Sequence, residues 1–435
     1  MANSSVSSDR LANRILWGLA IGLVAGVVVR LIGASSPQVL AAAGWLSEKV
    51  LDPFGQIFLR LLFFVVIPLV FGSLALGVVQ LGRLDKLGPL AGRTFLIFFF
   101  NMAVAVILGL TMMNVLKPGV KLDSHNKDAI MAEQSFGDRA EALKTTAAER
   151  PKFNLEYMVN MMMPRNLLKS VVEFQVLPLI LFALLVGAAG TQLGETQRLQ
   201  LQGALEILTE LMTRIVRFAL LLAPFAVPAL IFSVVITFGF EFLKSLAVFV
   251  TGVLVVMAIH LFGTMSFLVK VFARRSPRQF FGAIRTILVT AFSTSSSSAT
   301  LPTSIQVSRD QLGVSASTAG FVLPMGATMN MSGTALYEGC VVLFIAQVYG
   351  VDLSLAQQVV LLLFSVLSAV AVAGIPGGSL PLIVGLLVNF GIPAEGIALI
   401  LGTDRILDMA RTVLNVGADV VTACIVDEQL KVKEV

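Results

Sequence analysis

Long apolar stretches without a charged residue limit most strongly what this chain can fold into. Residues 61–82, 94–116, 219–240 and 245–269 contain no Asp, Glu, Lys or Arg. At roughly 1.5 Å per residue, each stretch could cross a hydrocarbon core about 30 Å thick as a helix. Because 57% of the 435 residues are hydrophobic and only 13% are charged, a soluble core could not bury this apolar surface. The sequence therefore predicts an all-α polytopic membrane protein.

The basic residues indicate how the chain is oriented. Arg10 and Arg14 precede the first apolar run, and a basic group at residues 270–285 follows the sixth. Positive loops face the cytoplasm, which predicts cytoplasmic termini in a bacterial inner membrane or a plasma membrane. The formal charge of +5 is too small to indicate nucleic acid as a partner. Arg30, at the end of the first run, is expected to extend to the membrane interface.

Interruptions in the second half of the chain predict a polar cavity. Six conventional spans are expected near residues 13–33, 53–80, 88–116, 170–192, 200–232 and 243–270. After them, polar or glycine-rich segments interrupt apolar sequence at residues 293–302, 326–334 and 373–381. Irregular backbone at membrane depth must be buried in protein or line a cavity. We expect eight transmembrane helices, the seventh discontinuous, plus two re-entrant hairpins near 277–306 and 354–391, with an extramembranous loop at 117–165.

The last apolar segment carries the heaviest charge predicted inside the membrane. Its polar residues, spaced three and four apart on one helix face, are Asp404, Asp408, Arg411, Thr412, Asn415 and Asp419. Ionisable residues at membrane depth are costly and are functional candidates for that reason.

Four motifs together resemble the glutamate transporter family, the dicarboxylate/amino acid:cation symporters. They are Ser-Ser-Ser-Ala-Thr-Leu-Pro at 296–302, Asn-Met-x-Gly-Thr at 330–334, Ala-Gly-Ile-Pro-Gly at 373–377 and Asp-x-x-Arg-Thr-x-x-Asn-x-x-x-Asp at 408–419. The resemblance implies a homotrimer with an elevator-type movement. It also implies a scaffold from residues 1–85 and 166–240 and a transport domain from residues 86–116 and 241–430.

The charged pair on the last helix indicates the solute. An arginine guanidinium donates two parallel hydrogen bonds to a carboxylate, and an aspartate attracts an ammonium group. Arg411 and Asp408 together predict aspartate or glutamate, because in the family dicarboxylate carriers lack the aspartate and neutral amino acid carriers lack the arginine. The remaining substrate-binding candidates are Ser297, Thr334, Ile375, Gly378, Thr412 and Asn415. Two alternatives stay open: Asp408 and Arg411 simply pair with each other, or the solute is a C4-dicarboxylate.

The coupling ion is less clearly indicated than the solute. The resemblance implies sodium ligands at Thr328, Asn330, Met331, Asn415 and Asp419. A third sodium site of the family lacks its aspartate and hydroxyl groups here, because the corresponding positions are Phe98, Asn101, Met102 and Ser332. Losing a carboxylate and hydroxyl ligands removes both charge neutralisation and coordination number. We expect this third site to be absent.

Glu338 is the candidate proton carrier. It lies four residues after Thr334 in an apolar helix, where proton-coupled members of the family keep a glutamate. Burial favours the neutral form of a carboxylic acid, which suits a group that takes up and releases a proton. We expect coupling to protons with sodium reduced or dispensable; sodium-coupled symport, with Glu338 only a buried hydrogen-bonding residue, is the alternative. No cofactor other than these ions is expected.

An enzyme and a channel are the competing classes. The serine run could suggest a hydrolase, but a nucleophilic serine needs a positioned base. The chain has only His125, in the polar loop, and His260, alone in the sixth span. A channel fits poorly with paired ions that would bind one solute molecule at a time. The sequence therefore predicts a transporter rather than an enzyme.

Overall fold

The computed structural model describes residues 2–80, 89–120, 159, 163–172, 176–372 and 377–431. Within these ranges the regular structure is entirely helical. The prediction of an all-α protein is therefore confirmed. Most of the predicted loop at 117–165, including His125, lies outside the described residues.

The first half of the chain forms long helices and two short ones. They are α1 (Ala2–Ser35), α2 (Pro37–Leu46), a π-helical turn (Ser47–Leu51), α3 (Asp52–Gln80), α4 (Pro89–Leu116), α5 (Leu167–Val172), α6 (Val176–Thr191) and α7 (Glu195–Ile259). The segment between the first two predicted spans contains α2. Pro37 suits the first turn of α2, where its missing N–H would have no helical partner.

A glycine kink divides α7 near the middle of the predicted gap between spans five and six. Gly239 has φ 71°, a left-handed conformation that favours glycine. Arg30 donates hydrogen bonds to the carbonyl oxygens of Val235, at 3.3 Å, and of Ile236. Arg30 therefore satisfies carbonyl groups next to the kink, and its expected place at the membrane interface stays a prediction.

Small residues allow α1 to approach α7 closely. A Cβ atom added at Gly18 would lie 2.7 Å from the carbonyl oxygen of Pro224, and one at Gly22 would lie 2.5 Å from that of Pro228. Small residues at helix contacts let backbones approach in this way in membrane proteins.

The second half of the chain consists of shorter helices separated by breaks. After a π-helical turn (His260–Thr264) come α8 (Met265–Val271), α9 (Pro277–Thr294), α10 (Ser297–Asp310), α11 (Ala316–Met329), α12 (Ser332–Val348), α13 (Leu355–Ala371), α14 (Leu380–Asn389), a 3-10 turn (Ala394–Ile397) and α15 (Ala398–Lys431). The first two predicted interruptions coincide with breaks, at residues 295–296 and 330–331. Most of the third, residues 373–376, lies outside the described part.

The helix α15 packs against α9, α10, α11 and α12, so its middle lies beside both described breaks. The contact with α12 is close, because a Cβ atom added at Gly333 would collide with the backbone of Arg411. On its other side α12 packs along α4, where a Cβ atom at Gly109 would lie 2.9 Å from Cys340 Sγ.

Several helices are long and apolar enough to cross a membrane. By length and composition there are five in the described part of the chain: Trp17–Ser35, Gly92–Leu116, Phe242–Val271, Ala316–Val348 and Ala394–Leu430. A bent pair in α7 would make six. This supports a multi-pass membrane protein, whereas the predicted number of eight spans stays a prediction.

A candidate solute site between the helix breaks

A small cavity lies where the breaks meet α15. Its lining residues are Ser295, Ser297, Met331, Thr334, Val372, Gly378, Ser379, Asp408, Arg411, Thr412 and Asn415. Seven of the eight predicted substrate-binding residues are among them. The eighth, Ile375, lies outside the described residues.

The serine run forms a sharp turn at one wall of the cavity. Ser295 ends α9 in the left-handed conformation, with φ 48°. Ser296 then caps α10, because its Oγ accepts a hydrogen bond from the N–H of Ala299 at 3.2 Å. This turn places Ser297 at the first position of α10, where helix N–H groups favour an anion.

Arg411 is buried and held by two carboxylates. Its Nε and Nη2 lie 2.8 Å and 2.7 Å from Asp408 Oδ1. Its Nη1 lies 3.2 Å from Asp404 Oδ1. Two aspartates therefore compensate the charge of one guanidinium. The ion pair between Asp408 and Arg411, which the sequence left as an alternative, is present in the structure.

Tyr337 is a neighbour of Arg411 that the sequence did not indicate. Its hydroxyl donates a hydrogen bond to Asp404 Oδ1 at 3.0 Å. The Cζ atom of Arg411 lies 4.6 Å from the centroid of the Tyr337 ring, a cation–π contact. Tyr337 and Asp404 thus fix the guanidinium independently of Asp408.

The second carboxylate oxygen of Asp408 faces the residues that precede α14. Asp408 Oδ2 accepts a hydrogen bond from the N–H of Gly377 at 3.2 Å. Arg405 Nη1 also lies 3.6 Å from this oxygen, and Arg405 is only 8% exposed. Arg405 is not among the residues that line the cavity, so it reaches the site only through Asp408.

Asn415 joins α15 to the start of α12. Its Oδ1 accepts hydrogen bonds from the N–H groups of Gly333, at 2.7 Å, and Thr334, at 3.3 Å. Its Nδ2 lies 3.3 Å from both Thr334 Oγ1 and Met331 Sδ. Thr412 instead donates to the carbonyl oxygen of Asp408 at 2.8 Å.

The predicted cation ligands divide into separate groups. Asn330 Nδ2 donates to Asp419 Oδ1 at 2.9 Å, and both residues are buried. A Cβ atom at Gly326 would collide with this carboxylate. Met331 lies beside Asn415, whereas the side chain of Thr328 is exposed and donates to the Met325 carbonyl oxygen at 3.0 Å.

The residues of the third family site are all buried: Phe98, Asn101, Met102 and Ser332. Among the described residues, both side-chain polar atoms of Asn101 and the hydroxyl of Ser332 have no hydrogen-bond partner. None of the four residues has a carboxylate. We find nothing in these side chains that would neutralise a cation.

Glu338 lies one turn beyond Thr334 on α12 and is fully buried. Its Oε2 accepts a hydrogen bond from Ser368 Oγ on α13. Its Oε1 has no partner among the described residues. An unpaired charge at this buried position would be costly.

Interrupted helices, apolar spans and a buried arginine with aspartates define the class of secondary transporters. Residues 11–429 match the profile of the sodium:dicarboxylate symporter family. The chain belongs to this family, which consists of transporters and not of enzymes.

Named relatives cover nearly the whole chain. It is 35% identical to the proton/sodium-glutamate symport protein of Bacillus caldotenax, over 95% of this chain and 94% of the relative. It is 32% identical to the proton/glutamate-aspartate symporter of Escherichia coli strain K12, over 95% and 92%. A C4-dicarboxylate transport protein of Bacillus subtilis is 25% identical, over 96% and 92%.

Proposed function

We propose that this protein is a secondary symporter that takes up glutamate or aspartate. The observation that carries the proposal is a buried guanidinium and a buried carboxylate, Arg411 and Asp408, in one cavity lined by two helix breaks. An acidic amino acid offers a carboxylate for Arg411 and an ammonium group for Asp408. Hydrophobic walls alone would not select these two charges.

Substrate binding requires that the pair at 408 and 411 opens. Asp404 and Tyr337 can hold Arg411 when Asp408 turns to an ammonium group, because they contact other parts of the guanidinium. The N–H group of Gly378 and the hydroxyl of Ser297, which line the cavity, would then contact the substrate's second carboxylate. Thr334, Thr412 and Asn415 complete the polar lining.

The acidic amino acid is favoured over a C4-dicarboxylate because of Asp408. A dicarboxylate would bring a second negative charge towards this buried carboxylate, which is unfavourable in a desolvated site. The two more similar relatives quoted above are named for glutamate, whereas the one named for C4-dicarboxylates is more distant. A dicarboxylate carrier remains the second candidate within the family.

Protons are the proposed coupling ion, with Glu338 as their carrier. Glu338 has one unpartnered oxygen, and the buried positions at 98, 101, 102 and 332 have no carboxylate. If a reduced number of sodium ions is also bound, Asn330 and Asp419 would be their ligands, and Met331 and Asn415 would form a second group of ligands. Sodium-coupled symport is the alternative, and the printed name of one relative includes both protons and sodium.

The proposed architecture is an elevator in a homotrimer in the inner or plasma membrane. Residues 1–85 and 166–240 would form the scaffold, and residues 86–116 and 241–430 would move with the cargo. It would have eight transmembrane helices, two re-entrant hairpins and cytoplasmic termini. The break at 295–296, between α9 and α10, and the break at 330–331, between α11 and α12, support this arrangement.

Uptake by purified protein in liposomes tests the function and the coupling together. Labelled aspartate and glutamate should accumulate when a pH gradient, acidic outside, is imposed without sodium. Unlabelled aspartate should compete well and succinate or malate poorly. Uptake that is absent under the pH gradient and restored by a sodium gradient would overturn the proton assignment. Efficient competition by succinate would instead favour the dicarboxylate carrier.

A further inference from the structure

A basic recess lies between the end of α8 and the start of α9, far along the chain from the charged residues of the solute cavity. It has a volume of about 770 Å³ and is lined by Lys270, Arg274, Arg275, Ser276, Pro277 and Arg278. No Asp or Glu occurs between residues 270 and 285. The recess therefore concentrates four positive charges in nine residues of sequence.

The charges of the recess are not compensated within the described part of the chain. The ion pairs found there involve Lys49, Arg214, Arg405 and Arg411, none of which belongs to the recess. Arg275 Nη1 donates to the carbonyl oxygen of Leu312 at 2.6 Å, which anchors this side chain to the end of α10. The buried Nε of Arg275 has no partner there. The positive charges of the recess are therefore available to bind an external anion.

The start of α9 contributes hydrogen-bond donors. This helix is 18 residues long and begins at Pro277, and the side chain of Ser276 does not cap it. Pro277 has no N–H group and the N–H of Phe280 donates to the carbonyl oxygen of Ser276, so the donors available for phosphate oxygens are the N–H groups of Arg278 and Gln279. Phosphate chemistry therefore fits both the side chains and the backbone.

Exposed apolar side chains lie on the helix turn that leads into the recess. Phe267 is 60% exposed, Val271 48% and Phe272 46%. The apolar span Phe242–Val271 ends at this point. A lipid bound here would therefore place its phosphate in the basic recess while its acyl chains contact these apolar residues.

We propose that the recess binds the phosphate headgroup of an anionic phospholipid. A soluble phosphate shares the chemistry of the headgroup but has no apolar part that could contact the exposed apolar residues beside the recess. Basic groups at the cytoplasmic ends of membrane helices attract anionic lipids, with each Lys or Arg contributing independently. The site is separate from the proposed solute cavity, so it stands whether or not the solute is an amino acid.

Lipid retention by the full-length protein tests the proposal. The purified protein, in mixed micelles of phosphatidylglycerol and phosphatidylcholine, is compared by native mass spectrometry with the double variant Arg274→Gln/Arg278→Gln. The double variant Arg198→Gln/Arg214→Gln removes the same charge elsewhere and serves as the matched control. We expect roughly tenfold less bound phosphatidylglycerol for the recess variant and little change for the control.

Two further arms separate the possible outcomes. The variant Arg274→Lys/Arg278→Lys keeps the charge and should retain most of the lipid, which distinguishes loss of binding from misfolding. Inorganic phosphate is titrated against bound phosphatidylglycerol. Displacement at millimolar phosphate would overturn the lipid assignment in favour of a soluble phosphate. Equal retention of phosphatidylglycerol by the recess variant and the control, or equal retention of phosphatidylcholine by the wild type, would overturn the site itself.

Discussion

Arg405 shares Asp408 with Arg411, because Arg405 Nη1 lies 3.6 Å from the carboxylate oxygen that Arg411 does not contact. An ammonium group that binds Asp408 must therefore compete with a second guanidinium. We predict that Arg405→Gln strengthens aspartate binding by about fivefold to tenfold, because removing a nearby positive charge increases the attraction for an ammonium group.

The competition is specific to the amino group, so succinate provides the internal control for Arg405→Gln. Its binding should not improve, because it has no ammonium group. Arg405→Lys, which keeps the positive charge, should resemble the wild type. Isothermal titration with both ligands measures the effect, and a parallel gain for succinate would contradict the competition.

Arg411→Cys removes the only guanidinium proposed to bind the substrate carboxylate. Hydrogen bonds to charged groups contribute about 1.5–3 kcal/mol each, so losing two of them should weaken aspartate binding by at least about a hundredfold. Neutral amino acids such as serine should gain in relative preference, since Asp408 remains for their amino group. Competitive uptake in liposomes gives the ratio, and retained tight aspartate binding would be inconsistent with the proposed role of Arg411.

Glu338→Gln tests the proton carrier while keeping a side chain that can accept a hydrogen bond from Ser368. Accumulation driven by a pH gradient should fall to background, whereas exchange of internal for external substrate at equal pH should persist. Ser368→Ala is the matched control, because it removes the hydrogen bond to Glu338 but leaves the titratable group. Continued acid-driven accumulation by the Gln variant would assign Glu338 a structural role only.

Gly326→Ala should disturb the proposed cation group at Asp419. Its new Cβ would collide with the Asp419 carboxylate, and overpacking of this kind costs about 1–3 kcal/mol. We expect the sodium concentration needed for half-maximal stimulation of substrate binding to rise. Gly320→Ala, on the same helix with open space around its Cβ position, should leave it unchanged. Equal sodium titrations for the two variants would argue against a cation at Asp419.

The helix breaks and the charged face of α15 could be predicted from sequence because their signals are local. The serine run at 293–298 and the polar, glycine-containing segment at 326–334 interrupt apolar sequence, which locally indicates a break in a helix. The spacing of Asp404, Asp408 and Arg411 also places them on one face before any fold is known.

The other contacts of the site depend on tertiary packing or on side-chain reach. Tyr337 looks like an ordinary apolar residue of its helix until α15 brings Arg411 over its ring. The position of Arg405 next to Asp404 does not show that its long side chain bends towards Asp408, three positions ahead. The Arg30 contact beside Gly239 spans more than two hundred residues and has no local signature.

Asn415 gives the binding cavity a direct mechanical link to the proposed proton site. Its side-chain oxygen accepts hydrogen bonds from the N–H groups of Gly333 and Thr334 in the first turn of α12, and Glu338 lies one turn further along this helix. A solute that pulls on this amide therefore also pulls on the helix that carries the acid. Solute and proton would then both act on α12, so that a solute bound at the start of this helix can alter the surroundings of Glu338.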